Sequence, residues 1–240
     1  TEMEVRIPQL LQKVIMRIGF YGASEVAWTG YKINGVSSWN DMVCEYFNAK
    51  QTNHAVLEGS SERALLKLKS TKEKLDLAVF SLRNCYKFAP MIHCDRDFPV
   101  ATLNSDDMSR RWYNYVGTKK KKDGRDSVKK QFKSEDEFVN TWHLHKKHLW
   151  SPELQMVRHA GALIQINQYL ATFKIPTVFV VKKENLPVWV KLDSGVNSTK
   201  ISKLYEENRQ HNNLPNNLSA EGQKTIAKYF VKLVQRENII

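Results

Sequence analysis

The chain has 240 residues, 42% of them hydrophobic and 10% aromatic, enough apolar material to bury a core, which sets aside a disordered or fibrous chain. No apolar run nears the ~20 residues of a membrane span. The first residues lack the basic start and apolar middle of a secretion signal, and the three cysteines have no metal-like spacing; free thiols in a reducing, cytoplasmic setting are expected.

The net charge is +12, which fits an anionic partner as well as plain solubility. In chain order, residues 1–13 read as a leading arm. Residues 14–21, β-branched and aromatic, predict a first strand that stops at Gly22-Ala23-Ser24. A polar loop follows, and Ser37 or Ser38 is placed to cap a helix over residues 39–48. Residues 54–57 predict a second strand ending near Gly59. Residues 61–69 predict a helix with Ala64, Leu65 and Leu68 on one face and basic residues on the other. Residues 75–82 are nearly all apolar, as in a strand covered on both faces. This alternation predicts a parallel sheet with flanking helices.

Residues 86–150 break the rhythm. They hold four consecutive lysines, Lys119 to Lys122, the histidines His143, His145 and His148, and several Trp and Tyr residues. An inserted basic lobe or lid over the carboxyl edge of the sheet is expected here, with the histidines in a basic amphipathic segment that needs no metal. Ser151-Pro152-Glu153 then opens a long helix, with Leu154, Val157, Gly161, Ile164 and Gln168 on its predicted inner stripe. Residues 176–181 predict a buried strand, 184–200 irregular chain and 201–209 a short helix. Ser219 caps a terminal helix with Ile226, Ala227, Phe230, Leu233 and Val234 facing inward.

Four fragments stand at element boundaries: Gly22-Ala23-Ser24 after the first strand, Gly59 after the second, Leu82-Arg83-Asn84 after the third, and residues 214–222, LPNNLSAEG, before the last helix. In this order they resemble the motif blocks of the SGNH (GDSL-like) hydrolase superfamily. The resemblance implies a three-layer α/β/α fold with a parallel, flavodoxin-like sheet, as one domain over residues 1–240 with the basic insertion inside it. It also implies a serine ester hydrolase or acyl transferase without cofactor or metal. Ser24 would attack an ester. The main-chain N–H groups of Ser24 and Gly59 and the side-chain amide of Asn84 would stabilise the oxyanion.

The last block departs from the family. Its His position is Asn217, and its Asp falls near Asn213 or Leu214. An amide takes no proton near neutral pH, so the resemblance implies an impaired or inactive esterase unless another base, with His211 nearest in sequence, fills the place. The basic insertion would favour an anionic or polymeric ester. The alternative expectation is a non-catalytic binding protein on the same fold, whose basic insertion holds nucleic acid or another acidic partner.

Overall fold

The computed structural model describes residues 15–23, 26, 32–55, 59–82, 87–88, 98–99, 134–148, 151–182, 184, 186–209 and 218–240. Nine strands among them are β1 (Arg17–Gly22), β2 (Lys32–Ile33), β3 (Val36–Ser37), β4 (Lys50–Asn53), β5 (Leu77–Ser81), β6 (Lys87–Phe88), β7 (Phe98–Pro99), β8 (Thr177–Val180) and β9 (Val196–Asn197). The helices are α1 (Trp39–Tyr46), α2 (Ser61–Ser70), α3 (Glu135–His148), α4 (Pro152–Thr172), α5 (Thr199–Glu207) and α6 (Ala220–Arg236). Five strands pair in the order β4-β1-β5-β8-β9, and every pairing is parallel. The small pairs β2-β3 and β6-β7 are antiparallel.

Side chains alternate across the central strands, so each face of the sheet has its own core. One face carries Ile18 and Phe20 of β1, Leu77 and Val79 of β5, and Val178 and Val180 of β8. These pack against Trp39 and Val43 of α1, Ile201 of α5, and Ile226, Phe230 and Val234 of α6. The other face carries Tyr21, Ala78, Phe80 and Phe179, covered by Leu65 and Leu68 of α2 and Leu163, Ile166 and Leu170 of α4. The result is a three-layer α/β/α sandwich around a five-stranded parallel sheet, as expected from the sequence. Aromatic rings bind the layers: Phe20 meets Trp39 edge to face at 5.8 Å, and Trp39 meets Phe230 at a tilt at 5.6 Å between centroids. On the opposite face, Tyr21, Phe80 and Phe179 stack in sequence at 4.8 and 5.7 Å.

β5 lies in the middle of the sheet, and all five of its residues are buried, which is why apolar composition alone found it. The expected stripe of α6 is the observed one: Ile226, Ala227, Phe230, Leu233 and Val234 are all buried. Ser151 caps α4 by accepting from the Leu154 amide at 3.0 Å, with Pro152 in the first turn.

Four expectations need correction. The second strand is β4 at Lys50–Asn53, and it ends before His54 rather than spanning 54–57. Its sequence, KQTN, is polar because β4 is an edge strand with only partly buried side chains. Val196–Asn197, expected to be irregular, forms the opposite edge strand. The inner stripe of α4 is rotated from the expected one. Leu154 and Val157 are 40% and 58% exposed, whereas Gln155, His159, Leu163, Ile166, Asn167 and Leu170 are buried. Ser38 is the N-cap residue of α1, but its hydroxyl donates to Asp41 Oδ2 and accepts no helix N–H.

Phe230 is fully buried between α1 and the sheet, whereas Phe173 at the end of α4 is 60% exposed. Phe230→Ala is expected to cost about 3–5 kcal/mol in urea unfolding, and Phe173→Ala less than about 0.5 kcal/mol. Equal effects would contradict the placement of this core.

Candidate functional site

The carboxyl ends of β4, β1 and β5 lie side by side because the three strands are parallel and in register: Phe20 sits opposite Asn53 and Gly22 opposite Ser81. Ligands in open α/β sheets bind outside this edge. β1 reaches it through Gly22, whose φ is +115°. A Cβ there would stand 2.1 Å from the Ser81 carbonyl oxygen, so both the backbone shape and the close approach require glycine. The Ala23 amide then donates to the same oxygen at 3.1 Å, and the Val26 amide donates to the Ala23 carbonyl at 3.2 Å.

Two side-chain amides hold the far end of this turn. Asn53 Nδ2 donates to the Val26 carbonyl at 2.6 Å, and the buried Asn40 Nδ2 to the same oxygen at 3.3 Å. Asn53 closes its own loop by accepting from the Ala55 amide at 2.9 Å. Positions 24 and 25 are thus bracketed by two pinned residues, Ala23 and Val26.

The Gly59 side is built differently. Gly59 and Ser60 are buried, and Ser60 caps α2 by accepting from the Arg63 amide at 3.2 Å. Ser61 Oγ shares a hydrogen bond of 3.0 Å with His159 Nδ1 of α4, both groups buried. This bond ties the start of α2, and so the Gly59 turn, to the second turn of α4. Gln155, one turn before His159, is 1% exposed, and its side-chain nitrogen has no hydrogen-bond partner. The Ser61–His159 pair was missed in the sequence. Ninety-eight residues separate its members, and the apolar pattern of α4 pointed to another stripe.

The last block enters α6 on the first core face. Leu218 is fully buried in the same cluster as Val26 and Trp39, and it bridges to Arg209. Ser219 caps α6 at 3.0 Å from the Gly222 amide, and Gln223 Oε1 accepts from the Trp39 amide at 2.9 Å. Among the expected site residues, Gly59 is described. Ser24, Asn84, His211, Asn213 and Asn217, like the lysine run 119–122, lie outside the described residues. Their neighbours Ala23, Val26, Leu82 and Leu218 are described and buried.

Near the same edge, His54 stacks on Tyr21 at 5.2 Å, and Thr71 Oγ1 bonds both Tyr21 Oη at 3.0 Å and His54 Nε2 at 3.3 Å. Burial pushes the Tyr21 phenol up to about 12. Burial, and secondly the charge of Lys67, hold the His54 imidazolium below its ordinary range. Among the described residues no three His, Cys, Asp or Glu side chains gather as a metal site, and no helix is long and apolar enough to cross a membrane.

No family model and no curated protein matches the chain. Among solved structures, it is similar to a carbohydrate esterase whose active site displays divergent catalytic and non-catalytic binding functions. The identity is 9%, the TM-score is 0.48, and the match covers 92% of this chain and 65% of that one.

Two outcomes are expected. Gly22→Ala should destabilise the fold by several times the ~1 kcal/mol typical of a point substitution, because strain and overlap with Ser81 add; urea midpoints measure this. The depressed His54 pKa means that the folded state favours the neutral ring. Its contribution is full above the unfolded value of 6.5 and is lost as pH falls through the lower folded value. His54→Gln should therefore lose less stability than the unmodified protein between neutral and mildly acidic pH, as read by thermal melts.

Proposed function

We propose that the chain is a serine ester hydrolase or acyl transferase of the SGNH type, with Ser24 as nucleophile at the carboxyl edge of the sheet. One observation carries the reading: the φ-positive Gly22, held against Ser81, turns the chain out of β1 two residues before Ser24, beside the ends of β4 and β5 that lead to Gly59 and Asn84. Such a turn suits a nucleophile that has to stand at the end of a strand.

In the proposed reaction Ser24 Oγ attacks the ester carbonyl carbon and loses its proton, and the alcohol leaves with a proton. Water or another acceptor then takes the acyl group from the serine. The Ser24 and Gly59 amides and the Asn84 side chain meet the developing oxyanion. Residues 86–150 form the inserted lid of this single domain and favour an anionic or polymeric ester. With Asn217 and Asn213 in the last block, base catalysis is weak, and His211 is the first candidate to replace it. His159 is committed to Ser61 and serves as a positioning residue for the Gly59 turn.

A fluorophosphonate probe should label Ser24 slowly, and Ser24→Ala should abolish the label. Hydrolysis of p-nitrophenyl acetate should be slow in the protein as it stands. Asn217→His together with Asn213→Asp should raise it at least tenfold, within the ~10²–10⁴ typical of general-base help. Label on Ser61 in place of Ser24 would move the nucleophile. A folded double variant that stays inert would favour a non-catalytic binding protein.

A further inference from the structure

The basic character of this protein is not confined to the lysine run. α5 and α6 enclose a groove of about 550 Å³ whose walls include Lys200, Lys224, Lys228, Lys232, Tyr229 and the acid Glu221. Lys224, Lys228 and Lys232 recur every fourth residue along α6, steps of about 6 Å along the helix axis. Lys200 faces them from α5, its Nζ 5.4 Å from the centre of the Tyr229 ring, a cation–π contact that holds the ammonium in the groove.

The lysines around α5 differ in their partners. Lys182 pairs with Glu206 at 2.9 Å and Lys203 with Glu207 at 3.7 Å. On the groove side, Lys200, Lys224, Lys228 and Lys232 are exposed, and none has an ion-pair partner among the described residues. α6 exposes no large apolar side chain, so this face lacks what a membrane surface would need. A line of unpaired, evenly spaced ammonium groups around one aromatic ring is complementary to a polymer that carries one charge per repeat.

We propose that the groove between α5 and α6 binds a nucleic-acid strand through its phosphates, independently of any chemistry at the carboxyl edge. Lys224, Lys228 and Lys232 contact successive phosphates, Lys200 closes the strand in from α5, and counterions released from the strand drive binding. Such contacts read charge and not sequence.

The test is fluorescence anisotropy of a labelled single-stranded oligonucleotide over a salt series, with folding of each variant checked by circular dichroism. Lys224→Gln/Lys228→Gln/Lys232→Gln should raise Kd at least tenfold. It should also reduce the slope of log K against log salt by about 2, since each phosphate contact on a single strand contributes about 0.7. Lys67→Gln/Lys69→Gln/Lys72→Gln removes the same charge from the opposite layer and should change both far less. Neutralising Lys119–Lys122 should leave the effect of the α6 variant in place. The proposal falls if the protein does not bind the oligonucleotide at low salt, or if the two triple variants lose affinity equally. It also falls if polyglutamate displaces the oligonucleotide as well as an unlabelled strand of equal charge does, which would mark an acidic protein as the partner.

Discussion

Gly22 approaches the Ser81 carbonyl so closely that a Cβ would come within 2.1 Å of the oxygen, and the carboxyl edge of the sheet depends on that approach. It lets β1 run in register beside β5 to its last residue and then leave at once, with the Ala23 amide taking up the same carbonyl. A side chain at this position would push the two central strands apart. The same device recurs at β9, where Gly195 lies against the Thr177 carbonyl, with 2.2 Å left for a Cβ. In both places a main chain packs directly on a main chain, and only glycine permits it.

The faces of the sheet do different work. The α1/α5/α6 face is an apolar and aromatic core, in which Phe20, Trp39 and Phe230 pack ring on ring. Such packing fixes stability, but many apolar sets would satisfy it. The α2/α4 face buries polar groups that need particular partners. Ser61 meets His159, Tyr21 meets Thr71, and Asn167 binds Asp193 at 2.7 Å while accepting from the Ser194 amide at 3.0 Å. An unpaired polar group here costs about 1–3 kcal/mol, so these bonds define the registration of α4 on the sheet more sharply than its apolar residues do.

Between the faces, the turn after β1 is held by side-chain amides as well as by the burial of Val26 in the core. The Val26 carbonyl receives Asn53 from the edge strand and Asn40 from α1, joining three elements at one oxygen. Asn40 leaves its own Oδ1 buried without a partner, a cost accepted where the backbone of the turn must be fixed. The outer surface of α6 shows the opposite arrangement: three lysines spaced along the helix without ion-pair partners among the described residues, beside an α5 whose Lys203 is paired with Glu207.

Much of the fold was legible in the sequence because its signals are local. β5 is apolar at every residue, α6 repeats its apolar residues at helical spacing, and Ser151-Pro152 marks a helix start by its own hydrogen-bonding chemistry. The glycine that ends β1, Gly22, was legible for the same reason. Hidden were features fixed by elements distant in the chain. KQTN reads as loop until β1 pairs with it as an edge, and the inner stripe of α4 includes Gln155, His159 and Asn167, which look like solvent residues until Ser61 and Asp193 arrive. Hydrophobic period and turn chemistry are written residue by residue. Which polar groups can be buried depends on partners that packing alone brings within bonding distance.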